Sequence, residues 1–177
     1  GYLQTDGYES YTHAWEAKRI GCWAHARRKW IDCLPKGIKA EGSKAAQALS
    51  IVEEIFTVEK GFVGMGTEGI YTERIAKIKP LLNKYWNLLE KTDAPQGSAL
   101  DKAVNYSLNN KKELEGFLAD GRLELTNNRA ERAVKPFVIA RKNFLFSDTS
   151  KGAEASALCF TMIECAKLNK LDVFGYL

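Results

Sequence analysis

The chain has 177 residues, of which 45% are hydrophobic and 27% charged, with a formal net charge of +4. That length can bury one sizeable core, and the composition is that of an ordinary globular domain rather than a disordered or fibrous chain. A charge of this size is too slight to imply nucleic acid by itself, and no apolar run approaches the roughly 18 to 20 residues that would span a bilayer.

The chain opens at Gly1 and passes at once into Tyr2–Thr5, a short β-prone stretch ending at the turn pair Asp6-Gly7. An opening in mid-strand, with no leader pattern, predicts a fragment or processed piece of a longer polypeptide. Ile20 to Ala24 reads as a second short strand, and His25 to Trp30 as the start of a helix. Pro35, Gly37 and Gly42 loosen the chain. Ala45, Leu49, Val52, Ile55 and Phe56 then recur at helical spacing between Ser43 and Glu59. After a glycine-rich connection (Gly61 to Gly69), Tyr71, Ile75, Ile78, Leu82, Tyr85 and Leu89 repeat at three- and four-residue steps, with Pro80 predicting a kink or break. Those glycines lack the Lys-Ser/Thr that completes a P-loop.

Ser98 is placed to cap a helix through Leu108, and Lys111 to Ala119 predicts another. Asp120-Gly121 marks a turn, Leu123 to Thr126 reads as extended, and Asn127-Asn128 can cap a helix over Arg129 to Lys135 that Pro136 should end or bend. Ala153 to Leu168 is helical, with Leu158, Met162, Cys165 and Leu168 near one face. The pattern predicts a mainly helical α/β chain with a few short strands.

Two carboxylates stand out: Asp6 at a strand end and Glu131 on the first turn of a helix. Hard oxygen donors of this kind suit Mg²⁺, and two such ions can clamp the attacking and leaving oxygens of a phosphoryl transfer. The competing explanation is structural, since Asp-Gly is a common turn and Glu near a helix N-terminus is favoured by the helix dipole.

Basic residues gather at Arg27, Arg28 and Lys29, beside Trp23 and Trp30 and close to His25. A second group comprises Arg129, Arg132 and Lys135 with Asn128, followed by Arg141, Lys142 and Asn143. Such groups can neutralise DNA phosphates and orient the backbone without reading sequence; the alternative is a solvated, salt-bridged surface. Cys22 and His25 are spaced as CxxH but lack the second ligand pair of a closed zinc site. The four cysteines, Cys22, Cys33, Cys159 and Cys165, show no disulfide framework, so reduced thiols in a cytoplasmic protein are expected.

The segments YLQTDGY (2–8), GCWAHARRKW (21–30), NNRAERAVKPF (127–137), ARKNFLF (140–146) and ECAKLNKLDVFGYL (164–177) resemble, in that order, the transposases of the insertion-sequence-66 family. The resemblance implies a partial ribonuclease-H-like catalytic core from its fourth strand onward, formed by residues 1–34 and 120–177, with residues 35–119 as a helical insertion. It implies a DDE-type site in which Asp6 is the second carboxylate and Glu131 the third, holding two Mg²⁺ or Mn²⁺ ions. It also implies DNA as partner, both element ends and target, and self-association in the transposition complex.

No residue of this chain corresponds to the first aspartate, which bridges both metals. The expectation is therefore weak metal binding and no DNA cleavage or strand transfer by this chain alone, which would need the missing N-terminal strands of the same protein. The second possibility is a non-catalytic DNA-binding or assembly module from a degenerate, truncated element. In the parent fold the first strand pairs with Tyr2–Thr5, so this edge is expected to be unpaired, and either met by a second copy or frayed.

Overall fold

The computed structural model describes residues 1–6, 17–34, 42–144 and 147–177. Two compact units are present, Gly1–Asn127 and Asn128–Leu177.

The first unit begins with a parallel pair of short strands, β1 (Tyr2–Gln4) and β2 (Lys18–Ile20), in the register Tyr2↔Lys18, Leu3↔Arg19, Gln4↔Ile20. The second strand thus lies earlier than Ile20 to Ala24. The ladder stops at Gly21, whose N–H turns away to the Glu113 carbonyl (2.7 Å). A side chain there would crowd the Leu114 backbone, with a Cβ only 3.1 Å from its nitrogen. Cys22 is extended and stands directly before α1 (Trp23–Asp32). No strand covers the other edge of β1 among the described residues, and Tyr2 is exposed there.

Helix α1 buries Trp23, Ala26 and Trp30, one stripe at three- and four-residue steps, and packs on α2 (Lys44–Lys60) and α5 (Ala99–Asn109). The predicted caps are present. Ser43 Oγ accepts from the Ala46 N–H and Ser98 Oγ from the Asp101 N–H, both at 3.1 Å. Helix α2 buries Ala45, Val52 and Ile55 as its periodicity requires, with Leu49 and Phe56 packed at the margin.

The expected interruption near Pro80 takes the form of a π-turn. Helix α3 (Thr67–Glu73) runs into π-helical Arg74–Ile78 and then α4 (Lys79–Glu90), whose first turn holds the proline. There the missing proline N–H costs little. Helix α6 (Lys111–Glu115) ends in a 3₁₀ turn, Gly116–Ala119. At the following Asp120-Gly121 turn, a Cβ on Gly121 would sit 2.0 Å from the Thr67 carbonyl oxygen, so only glycine fits.

An aromatic cluster fills the centre of this unit. Trp23, Tyr85 and Trp86 are mutually packed, with ring centroids 4.8 to 6.2 Å apart, and Trp30 meets Tyr85 edge-on. Its polar atoms are satisfied in series. Trp30 Nε1 donates to Tyr85 Oη (2.7 Å), which is 2.8 Å from Ser107 Oγ, and the serine hydroxyl donates to the Ala103 carbonyl. Since the serine proton is committed to Ala103, the tyrosine must donate to the serine. Burial pushes the Tyr85 phenol far above its ordinary pKa.

The second unit contains α7 (Asn128–Phe144), α8 (Ser150–Leu168) and the short α9 (Val173–Tyr176). Helix α7 continues through Pro136 to Phe144, rather than ending near it. Phe137 of α7 and Phe160 of α8 pack edge to face at 5.3 Å. Thr149 caps α8, its hydroxyl accepting from Gly152 N–H. The predicted apolar face of α8 is exposed, with Leu158 at 62% and Leu168 at 78%; the residue α8 buries is Ala166.

Candidate metal and nucleic-acid site

Asp6 stands two residues beyond the end of β1 and is half-buried. The preceding residue, Thr5, is buried, and its N–H donates to the Ile20 carbonyl at 2.9 Å, extending the parallel ladder by one step. On the other side, Tyr106 Oη of α5 donates to the Asp6 main-chain carbonyl at 3.2 Å. The end of β1 is therefore held by β2 and by a helix from the middle of the chain.

Tyr106 is the centre of a polar neighbourhood. Its phenol is pushed up to about 12, first by burial, then by the Cys22 thiol and the Asp6 carboxylate, with Arg19 opposing. Lys29 Nζ lies 5.6 Å from the centroid of the same ring, a cation–π distance. Of the residues singled out from sequence, Asp6 and Lys29 thus meet around Tyr106. Nothing in the sequence marked this tyrosine, because Tyr106 has no motif of its own and its partner is a main-chain atom.

The three cations on α1 fan out, as successive residues 100° apart on a helix must. Arg27 pairs with Glu53 of α2 at 2.5 to 2.6 Å. Arg28 is exposed, and Lys29 turns to Tyr106. His25 sits half-buried on the first turn of α1. Trp23 and Trp30 are buried in the core, with Trp23 Nε1 donating to the Leu114 carbonyl at 2.8 Å, so neither is an exposed platform for a base.

The segment leading to α7 is anchored next to the strands. Trp23 N–H donates to the Leu125 carbonyl at 3.1 Å, and Asn127 N–H approaches Cys22 Sγ at 3.5 Å. Leu123 to Thr126 forms no strand ladder, yet these two contacts tie it to the start of α1. Cys22 is fully buried in this role. The Cys33 thiol is pushed up by burial and by Asp32, which disfavours the thiolate that a metal needs.

Upstream, Arg74 organises the same connection. Its buried guanidinium donates to Glu59 and to the carbonyls of Phe117 (3.0 Å), Asp120 (3.1 Å) and Leu123 (2.8 Å), and it lies 5.1 Å from the Phe117 ring centroid. Arg122 grips Asp120 through its side chain and N–H, holding that carboxyl down at about 2.

In the second unit, Asn128 opens α7, half-buried, and Glu131 lies on its first turn, exposed. Arg132, Lys135, Arg141, Lys142 and Asn143 are exposed along the same helix. Among the described residues, no three or more His, Cys, Asp or Glu side chains form a group that could hold a metal ion. Nor is any of the described helices long and apolar enough to cross a membrane.

Residues 1–155 match the family described as Transposase IS66 family, and the chain belongs to that family. Three relatives come from Sinorhizobium fredii (strain NBRC 101917 / NGR234), each described as an uncharacterized protein. The chain is 33% identical to y4jD over 189 residues, 30% to y4qI over 188 and 30% to y4hP over 195. All of this chain is covered in each case, but only 36%, 34% and 35% of the relatives, so it spans about a third of their length. No solved structure matches it.

Proposed function

We propose that this chain is the part of a DDE-type DNA transposase that supplies two of three metal-binding carboxylates, Asp6 and Glu131. In this reading the strands and the helices flanking the insertion (35–119) belong to a ribonuclease-H-like core. The observation that carries it is the family match over residues 1–155, a span that includes both the strand-end Asp6 and the helix-borne Glu131. Thr5 is bonded to Ile20 immediately before Asp6, and Leu125 and Asn127 are tied to Trp23 and Cys22 immediately before the helix of Glu131.

Carboxylate oxygens fit Mg²⁺ or Mn²⁺ in kind. They fall short in number, because two carboxylates cannot fix two ions about 4 Å apart without a bridging third. When bound, the ions would supply charge stabilisation at the transferred phosphoryl group. The chain's own share is to hold DNA. Arg28, Arg132, Lys135, Arg141 and Lys142 offer exposed positive charge, while Lys29 is partly engaged with Tyr106 and Arg27 with Glu53. Asn128, Asn143 and His25 are the neutral candidates for phosphate contact.

The test is a binding and cleavage assay on the purified chain with duplex DNA and Mg²⁺ or Mn²⁺. Binding should weaken steeply with salt, and each phosphate-contacting cation removed should flatten the log–log slope by about 0.9. No cleavage is expected. Metal-dependent cleavage lost in Glu131→Gln would overturn the inactivity of the isolated chain, and salt-independent binding would overturn the DNA role. The exposure of the α7 cations equally favours a second reading, a non-catalytic DNA-binding or assembly module. That reading gains if metal does not alter DNA binding and Glu131→Gln behaves as the parent.

A further inference from the structure

We propose that Arg19 of β2 and Lys29 of α1 bind a phosphate group of a DNA backbone beside Tyr106, with the Arg19 Nε–H as one of the donors. The inference rests on the reading of the chain as DNA-binding, and it adds Arg19, which lies in no motif, to that surface.

Arg19 stands in the middle of β2, opposite Leu3 of β1. It is half-buried, and its Nε is closed off from solvent without a hydrogen-bond partner. The other arginines of the first unit are placed differently. Arg27 Nε donates to Glu53, Arg74 Nε to Glu59 and Arg122 Nε to Asp120, while Arg28 is exposed to water. A charged donor that is desolvated and unbonded destabilises the fold, and an incoming oxyanion removes that cost.

The second cation is close to the same strand end. Thr5 N–H donates to the Ile20 carbonyl, and Tyr106 Oη donates to the carbonyl of Asp6, so the phenol lies just past Arg19 along the strand pair. The Arg19 charge is felt at that phenol, and Lys29 Nζ rests 5.6 Å from the ring centroid rather than on a carboxylate. Asp6 is the acid acting on the same phenol, which leaves two positive charges against one negative. That surplus matches the single charge of a phosphodiester. Arginine would supply directed hydrogen bonds and lysine a mobile point charge, with no reading of sequence.

The test follows the Arg19 Nε–H signal by NMR in the whole 177-residue chain, assigned by its loss in Arg19→Met. Inorganic phosphate and duplex DNA are titrated separately. Both should move the signal, while the Arg74 Nε–H, committed to Glu59, should stay. DNA binding by Arg19→Met, read by fluorescence anisotropy, should weaken on the order of tenfold at low salt. Its log–log salt slope should flatten by about 0.9, and Lys29→Met should do the same. The unfolding midpoint of Arg19→Met should equal or exceed that of the parent, because an unbonded donor has been removed.

Movement with DNA alone would also support the site. If phosphate moves the signal but the parent shows no salt-dependent DNA binding, the pair is a site for free phosphate and the DNA reading falls. If DNA binds with a slope that Arg19→Met leaves unchanged, and neither titrant moves the signal, the Arg19 site is wrong and the DNA reading stands. A midpoint of Arg19→Met more than about 5 °C below the parent would make Arg19 structural and overturn the inference.

Discussion

Replacing Arg74 by methionine should destabilise the first unit severely, and the size of the effect follows from its contacts. All five guanidinium N–H groups are used: Nε and one Nη2 hydrogen on Glu59, both Nη1 hydrogens on the carbonyls of Phe117 and Asp120, and the other Nη2 hydrogen on Leu123. The three carbonyls belong to the 3₁₀ turn and the irregular stretch after it, where no ladder supplies donors. The Arg74 side chain is 3% exposed and that of Glu59 19%. Removing one member of such a pair costs about 3–5 kcal/mol, because the remaining charge stays desolvated.

Lysine keeps the charge but offers three donors from a point, so at least two charge-assisted bonds are lost and Arg74→Lys should cost roughly 3 kcal/mol. Urea unfolding followed by tryptophan fluorescence measures this, since Trp23, Trp30 and Trp86 lie in the first unit and the second unit contains no tryptophan. With a slope of about 2 kcal/mol per molar urea, the midpoint of Arg74→Met should fall by about 2 M. Adding Glu59→Leu should recover part of the loss by removing the stranded carboxylate. A midpoint shift below about 0.5 M for Arg74→Met would refute the reasoning.

Tyr85→Phe leaves the Trp30 N–H without its acceptor and should cost about 1–3 kcal/mol in the same assay; an unchanged midpoint would dismiss the relay. Asp120 should titrate near 2 by carboxyl NMR, and in Arg122→Ala should move up toward its ordinary 3.8. The sign follows from that depression: the pair's contribution is present above the unfolded-state pKa and is lost as pH falls through the folded value near 2. Stability that is insensitive to Arg122→Ala at neutral pH but falls equally in both proteins on acidification would show that the pair adds nothing.

The elements were largely legible because they rest on local rules. Ser43 and Ser98 sit where side-chain caps are useful, and the stripe Ile78, Leu82, Tyr85, Leu89 is the buried face of α4. Upstream of Ile78 the same stripe fails. Tyr71 and Ile75 are exposed, while Arg74 is buried and Ile70 packs on the core. The π-turn inserts one extra residue into that turn, so the core-facing register slips by one position. A 3.6-residue template cannot anticipate the slip, and a lone arginine in an amphipathic stretch gives no hint that its partners are carbonyls some forty residues onward.

Of the two outcomes expected at Pro136, an end or a bend, the end is the one that fails. A proline forbids one hydrogen bond and crowds one carbonyl, but α7 absorbs both on a largely exposed helix. At the candidate site, Asp6 and the basic residues were visible as residue types. Their sorting was not, because Arg27 is taken up by Glu53, Lys29 by Tyr106, and the two tryptophans by the core. Tyr106 acts on a main-chain atom a hundred residues away, a contact without any sequence signature.

The most direct test of the proposed site is paramagnetic broadening of carboxyl NMR signals by Mn²⁺, read at Asp6 and Glu131 in one titration. The proposal predicts that both signals broaden over the same Mn²⁺ range, and that Asp6→Asn sharpens Glu131 just as Glu131→Gln sharpens Asp6. Broadening at one carboxylate alone, or at both with neither substitution affecting the other, would contradict a shared metal site.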